Sequence, residues 1–84
     1  MSPHEVMAQF LGLLPQPRAK IAEALGVSPS TLHGWAQAAR GEPMPARRPG
    51  RAAPTAEQLD KARGLLWQHV EQCRAALRGE APPA

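Results

Sequence analysis

The sequence predicts an all-α protein, and its composition and its punctuation are the two observations behind this prediction. Ala, Leu, Gln and Arg abound, Tyr is absent and β-branched residues are few, a balance that favours helix over strand. Most of the ten prolines and seven glycines lie near residues 15–17, over 41–54 and from 79 onwards. Because these residue types interrupt helices, the clusters divide the chain into helical blocks.

The first 41 residues predict three short helices. Ser2 and Ser28 are each followed by proline, and a serine cap before a proline at the first helical position marks a helix start. Pro15 ends the first helix. Gly26 ends the second, because glycine tolerates the left-handed conformation that follows a helix C-terminus. The expected helices run over about 3–14, 18–25 and 29–40.

The remaining residues predict a linker, one long helix and a short tail. Four prolines, two glycines and three arginines lie between Gly41 and Pro54, a composition typical of an extended linker. Thr55 and Gln58 have the spacing of a capping box, and a helix follows to about Arg78. The expected organisation is a trihelical domain over 1–41, a basic linker over 42–54, a helix over 55–78 and a disordered tail over 79–84.

Residues 18–37 carry the pattern on which the functional prediction depends. Two helices that cross through a short turn need a small residue where they touch, a sharp reversal and an apolar plug. Ala22, Gly26 and Val27 have these properties. The second helix must bury two side chains one turn apart, and Leu32 and Trp35 are suited to this. The first helix adds the apolar residues Ile21 and Leu25.

The segment IAEALGVSPSTLHGW, residues 21–35, resembles the helix-turn-helix of bacterial and phage regulators of the Cro/repressor type and the DNA-binding domains of transposases. The pattern of these proteins has Ala, then Gly four residues later, then apolar residues six and nine positions after that Gly. Ala22, Gly26, Leu32 and Trp35 match it. The resemblance covers about a quarter of the chain closely, extends loosely over residues 2–41, and does not include residues 42–84.

The resemblance implies that the second helix of the motif enters the major groove of DNA. It makes Thr31, His33 and Gln37 base readers that point away from the apolar face, with Gln37 pairing with adenine and His33 with guanine. Gly34 departs from the pattern, because related proteins often carry a reading side chain there. This indicates either modest discrimination or a backbone close to the groove. Further contacts, mainly to phosphate, are expected from Arg18, Lys20, Ser28, Ser30 and Arg40.

The basic residues are unevenly distributed along the chain. Residues 1–54 hold six Lys and Arg against three Asp and Glu, whereas residues 55–84 hold four of each, so the net charge of +3 lies in the first part. This excess favours a phosphate backbone as partner. Arg47, Arg48 and Arg51 flank a Pro-Gly pair and resemble an AT-hook, whose Pro/Gly turn lies in a narrow minor groove. A DNA-contacting arm and a solvated, arginine-rich linker are both open interpretations.

The long C-terminal helix carries an apolar seam that predicts self-association. The seam residues recur at spacings of seven, four, three and four, close to a heptad pattern: Leu59, Leu66, Val70, Cys73 and Leu77. Pairing of this seam with a second copy would give a homodimer, and twofold dimers of small modules bind two half-sites. The alternative is that the seam folds back onto the N-terminal helices. Trp67 lies off the seam.

Several classes of function find no support in the sequence. There is no phosphate-binding glycine loop, no paired-carboxylate motif and no nucleophile with an evident base, so we expect no enzymatic activity and no cofactor. His69 and Cys73 have metal-ligand spacing, but no further ligands complete a zinc site. The sequence shows no signal-peptide pattern and no apolar run long enough to span a bilayer. We expect a cytoplasmic protein without a membrane partner or small-molecule substrate.

Taken together, the sequence predicts a sequence-specific DNA-binding protein, a small dimeric transcriptional regulator that represses by occupying its operator. One alternative keeps the DNA contact: the small terminase subunit of phages also resembles a helix-turn-helix joined to an oligomerising helix, but it forms a ring. Another alternative is a helical adaptor that binds a protein partner. The number of subunits separates the first two, and the salt dependence of binding separates DNA binding from the third.

Overall fold

The computed structural model describes residues 1–43 and 49–79 and contains four helices and no strand within these ranges, which confirms the all-α prediction. The residues outside these ranges include Arg47, Arg48 and all but the first residue of the expected tail. The predicted helix bounds agree with the observed ones to within one residue at nearly every end. The helices are α1 (Pro3–Leu13), α2 (Arg18–Leu25), α3 (Pro29–Ala39) and α4 (Ala56–Leu77).

Local capping interactions explain where the helices begin. The hydroxyls of Ser2 and Ser28 each accept a hydrogen bond from the backbone three residues later, at 3.2 Å in both cases. Thr55 and Gln58 form the predicted capping box, in which the Thr55 N–H donates to the Gln58 side chain at 2.8 Å. Each cap satisfies a backbone N–H that has no partner within its own helix.

Gly26 ends α2 in the conformation that its sequence position predicts. Its φ is 73°, in the left-handed region that glycine adopts without a steric cost. The Val27 N–H donates to the Ala22 carbonyl at 3.0 Å and the Gly26 N–H donates to the Glu23 carbonyl at 3.2 Å. These two bonds form a Schellman motif, which satisfies the last carbonyls of the helix and turns the chain towards α3.

A single core lies between all four helices. Among the described residues, α3 and α4 each pack against both α1 and α2 but not against each other. The α4 residue Ala62 is fully buried in this core, and Leu59 and Leu66 pack against it from the same helix. Leu59 and Leu66, which we expected in a self-association seam, are half-buried against the chain's own core, so this half of α4 folds back onto the N-terminal helices as the alternative interpretation of the seam predicts. The remaining core residues are Met7, Leu11, Leu14, Ile21, Ala22, Leu25, Leu32 and Trp35.

Within residues 1–43 and 49–79, none of the four helices has both the length and the apolar character that a bilayer span requires.

Candidate nucleic-acid interface

The turn between α2 and α3 consists of residues 26–28 and places two short helices against each other. Ala22, Leu32 and Trp35 are each at most 2% exposed, and Val27 packs against the same core from the turn. All positions that the sequence analysis assigns to the interior of this helix pair therefore have apolar contacts in the structure. The burial fixes the rotation of α3, and the rotation determines which of its polar side chains face solvent.

Ser30 and His33 are the exposed polar residues on the first two turns of α3. Together with Pro29 and Pro49 they line a shallow depression of about 430 Å³. Neither side chain makes a hydrogen bond with another described residue. Of the three predicted base readers, His33 is thus the one whose side chain is available to an outside partner, and Ser30 lies beside it.

Ser28 and Thr31 use their side chains to begin α3. The Ser28 hydroxyl accepts from the Thr31 N–H, and the two hydroxyl oxygens lie 3.0 Å apart. Thr31 is half-buried, whereas Ser28 is exposed. The structure therefore shows a capping contact for Thr31, which we expected to read a base. Reading would require its hydroxyl to exchange Ser28 for a base edge.

The C-terminal end of α3 holds a small polar cluster of Gln37, Arg40 and Glu42. The Arg40 guanidinium donates to the Glu42 carboxylate at 2.9 Å. This hydrogen bond raises the pKa of Arg40 and lowers the pKa of Glu42, because it stabilises the charged form of each group. Arg40, expected to contact DNA, therefore has a carboxylate partner.

Gln37 does not have the free amide that pairing with adenine requires. Its side-chain oxygen is buried and accepts no hydrogen bond within the described chain, and hydrogen bonding from its side chain also contributes to the lowered pKa of Glu42. A two-sided pairing with adenine needs both the oxygen and the nitrogen of the amide at the surface. In this conformation the Gln37 oxygen cannot reach a base edge, so the predicted reading role would require the side chain to move first.

Residues 49–52, which we call the strap, cover one side of α3 at Gly34. Gly34 is buried, and a Cβ built on it would overlap the carbonyl oxygen of Pro49. Gly50 fits against it with a φ of 84°, and a Cβ at that position would lie 2.6 Å from the Gly34 Cα. The absence of a side chain at residue 34 thus has a structural reason, because the strap occupies the space that we expected to be open to DNA.

Two long-range hydrogen bonds hold the strap in place. The Trp35 indole N–H donates to the Ala52 carbonyl at 2.9 Å, and the His4 imidazole donates from Nε2 to the Gly50 carbonyl at 3.0 Å. Residues 49–54 were expected to belong to an extended linker. This expectation is wrong, because Gly50 and Pro54 are buried and the half-buried His4 contacts the strap. No local sequence signal indicates a contact between residues 46 positions apart.

The Pro-Gly pair of the predicted minor-groove hook is packed against the chain itself. Arg47 and Arg48 lie outside the described residues, and the predicted roles of their side chains stay predictions. Pro49 and Gly50 are packed on the backbone of α3, so this turn cannot enter a groove without leaving its place. Arg51 is exposed and already interacts within the chain.

The first turn of α2 carries two exposed basic residues. Arg18 and Lys20 are both exposed, and neither makes an ion pair with another residue of the described ranges. No side chain caps this helix, since its N-cap residue is Pro17. The partial positive charge of the helix start adds to the two side-chain charges and favours an anionic group such as phosphate.

The predicted seam on α4 divides at Leu66. Beyond this residue Val70 is half-buried, Cys73 is exposed and Leu77 is 88% exposed, so this part of the seam is available for a partner. The Cys73 thiol lies 3.7 Å from His69 Nε2. Within residues 1–43 and 49–79 these two residues belong to no group of three or more metal-ligating side chains.

The described residues thus present one exposed polar edge, formed by Ser30 and His33, and one cationic helix start, formed by Arg18 and Lys20. The surface of α3 that a partner can reach is smaller than the sequence predicts. Thr31 is engaged in capping, the Gln37 oxygen is buried, and the strap covers Gly34. Comparisons of the chain with protein families, with curated proteins and with solved structures find no match of any of these kinds.

Proposed function

We propose that this chain binds double-stranded DNA and that α2, the turn over 26–28 and α3 act as a helix-turn-helix unit. The observation that supports this proposal best is the exposed polar edge that begins α3 directly after the Gly26 corner. In a helix-turn-helix the first turns of the second helix meet the base edges. Ser30 and His33 occupy these turns, and both side chains are exposed and form no hydrogen bond with another described residue.

The proposed division of roles separates base contacts from phosphate contacts. His33 donates to guanine N7 and Ser30 contacts a base or the adjoining phosphate, while Arg18 and Lys20 hold the backbone. Because two side chains offer few base contacts, a single copy discriminates weakly. A pair of copies that binds two half-sites would raise both affinity and discrimination, and a dimer of this kind suits a small transcriptional regulator that occupies an operator.

Salt dependence tests whether the binding is driven by phosphate contacts. The affinity of the full chain for duplex DNA of mixed sequence is measured by fluorescence anisotropy at several salt concentrations. Binding that releases counterions weakens linearly on logarithmic axes. We expect Arg18→Ala and Lys20→Ala each to reduce the slope by about one, whereas Lys61→Ala on the outer side of α4 leaves it unchanged. An affinity that does not change with salt concentration, or the absence of binding to any duplex, would favour a protein-binding adaptor instead.

Selection from a random duplex pool tests the assignment of base readers. We expect His33→Ala and Ser30→Ala to reduce the sequence preference of the selected DNA. The salt dependence of binding should stay the same as in the parent chain. Gln37→Ala is the discriminating control, because its buried oxygen predicts little change in preference. A preference that survives the His33 and Ser30 substitutions but disappears with Gln37→Ala would contradict the proposed edge and restore the role expected for Gln37 from the sequence.

A further inference from the structure

The outer side of α4 presents an exposed tryptophan in an apolar groove. Trp67 is 56% exposed, although large aromatic side chains contribute most when they are buried. It lies in a shallow groove of about 340 Å³, whose walls are apolar with an arginine at each end. Arg63, Leu66, Trp67, Val70 and Arg74 form this groove. The buried Ala62 marks the core-facing side of α4, and Leu66 lies at the edge of that side, where it both packs against the core and lines the groove.

Charges are arranged symmetrically about Trp67. Asp60 and Arg63 lie seven and four residues before it and form an ion pair at 3.2 Å. Glu71 and Arg74 lie four and seven residues after it and form an ion pair at 3.3 Å. At equal distances from Trp67 the charges are opposite: the acid at 60 matches the base at 74, and the base at 63 matches the acid at 71.

We propose that this face binds a second copy of the chain, with the two α4 helices antiparallel and centred on Trp67. An antiparallel copy places Asp60 opposite Arg74 of the partner subunit and Arg63 opposite Glu71 of the partner subunit. Each end of the pair then holds four charges of alternating sign, two from each chain. A parallel pair would instead place Arg63 against the same arginine of the other copy, and like charges in contact repel.

Gly64 supplies the close approach that this pairing needs. It lies three residues before Trp67 and Val70 lies three residues after it, so Val70 of the partner subunit packs over Gly64. A Cβ built on Gly64 meets no atom within 4 Å, and glycine inside a helix costs about 1 kcal/mol relative to alanine. No neighbour among residues 1–43 and 49–79 requires a glycine here, whereas a facing helix would use the notch that it leaves.

The proposed face shares Leu66 and Val70 with the seam that the spacing of apolar residues predicts, but it is centred on Trp67. Leu59 and part of Leu66 pack against the chain's own core, whereas the Trp67 face has both an exposed aromatic residue and complementary charges. The proposal concerns assembly of the chain with itself and does not depend on DNA binding. Failure of one proposal therefore leaves the other standing.

Charge reversal tests the direction and register of the pair. The dissociation constant of the full chain is measured by analytical ultracentrifugation. Arg63→Glu and Glu71→Arg, made separately, should each weaken self-association about tenfold or more, because each places like charges at both ends of the pair. An equimolar mixture of these two variants should form a 1:1 heterodimer, since every facing charge is again opposite. The matched control, Glu57→Lys with Lys61→Glu, reverses an ion pair of the same helix outside the face and should change nothing.

The outcomes of this experiment are distinct. A dimer that each single variant weakens and that the mixture restores supports the proposed register. A chain that stays monomeric at about 100 µM, the range expected for a small interface, overturns the proposal. So do single variants that dimerise like the parent chain, a mixture that stays monomeric, and a ring of many subunits. Far-UV circular dichroism verifies that each variant keeps its helix content.

Acrylamide quenching of the unmodified chain supplies a test without substitutions. Trp35 is 2% exposed and Trp67 is 56% exposed, so a dilute sample should contain one protected and one quenchable tryptophan. At concentrations where the chain associates, Trp67 should become protected as well. Association without protection of Trp67 would show that another surface forms the contact, and would overturn the proposal.

Discussion

Two regions of this molecule carry the same pair of residue types, a helical glycine followed by a tryptophan, in opposite environments. On α3, Gly34 is enclosed by the strap and Trp35 is 2% exposed; on α4, Gly64 has open space around it and Trp67 is 56% exposed. Residue type alone does not distinguish the two pairs. The difference teaches that a glycine and an aromatic residue in a helix mark a place where something approaches closely, and that the tertiary structure decides whether the approaching partner comes from the same chain.

The two tryptophans should differ most when each is replaced by alanine. Trp35→Ala removes a core side chain and the hydrogen bond from its indole to Ala52, so we expect a loss of about 3–5 kcal/mol in the free energy of unfolding. Trp67→Ala should change the stability of a dilute sample by less than about 0.5 kcal/mol, as expected for an exposed position. Urea denaturation monitored by circular dichroism measures both. Equal losses in the free energy of unfolding would contradict the difference between the buried Trp35 and the exposed Trp67.

Trp35→Phe sharpens the first result by separating packing from hydrogen bonding. Phenylalanine keeps most of the apolar contact and leaves the Ala52 carbonyl without the indole donor at 2.9 Å. We expect an intermediate loss, with about 1 kcal/mol of it due to the hydrogen bond. If this variant is as stable as the parent chain, the strap is held by packing and by His4, and the indole bond contributes nothing measurable.

Replacing each glycine by alanine should change the free energy of unfolding in opposite directions. Gly34→Ala places a methyl group where the backbone of Pro49 lies, and overpacking against backbone costs about 1–3 kcal/mol. We expect this loss together with release of the strap, observed as increased deuterium exchange at residues 49–52. A stable Gly34→Ala variant with a protected strap would contradict the enclosed position of this glycine.

Gly64→Ala should produce the smallest change in the single chain and the most informative one. In dilute solution alanine should stabilise α4 by up to about 1 kcal/mol, because it has the higher helix propensity and meets no neighbour. At higher concentration the same substitution should weaken self-association, since the methyl group fills the notch over which Val70 of the partner subunit packs. Thermal unfolding at low concentration and sedimentation at high concentration measure the two effects; stabilisation without weakened association would remove Gly64 from the proposed interface.

Local patterns in the sequence predict the helices and their ends accurately. Ser2, Ser28 and Thr55 cap as predicted, and Gly26 adopts the left-handed turn. The interior of the α2–α3 pair also follows, since helical periodicity alone places Leu32 and Trp35 on one face. These predictions succeed because each depends on residues within about one or two turns of each other. The exposed position of His33 is predicted by the same periodicity.

The side chains of Thr31 and Gln37 show where such patterns stop. Periodicity places both on the outer side of α3, but the Thr31 hydroxyl contacts Ser28 and the Gln37 oxygen is buried. A helical wheel gives the direction of a side chain and contains no information about the groups that compete for its hydrogen bonds. The predicted reading edge is therefore reduced to Ser30 and His33.

By itself, the sequence determined that this protein is helical, where its helices begin and end, and which faces of α2 and α3 are apolar, because short-range periodicity and capping depend only on neighbouring residues. The tertiary structure decided that residues 49–54 pack on α3, that Leu59 and Leu66 serve the core, and that Trp67 remains outside. These outcomes depend on contacts between distant parts of the chain, such as His4 with Gly50. Such contacts are selected by how well whole surfaces fit together, and no short stretch of sequence encodes that fit.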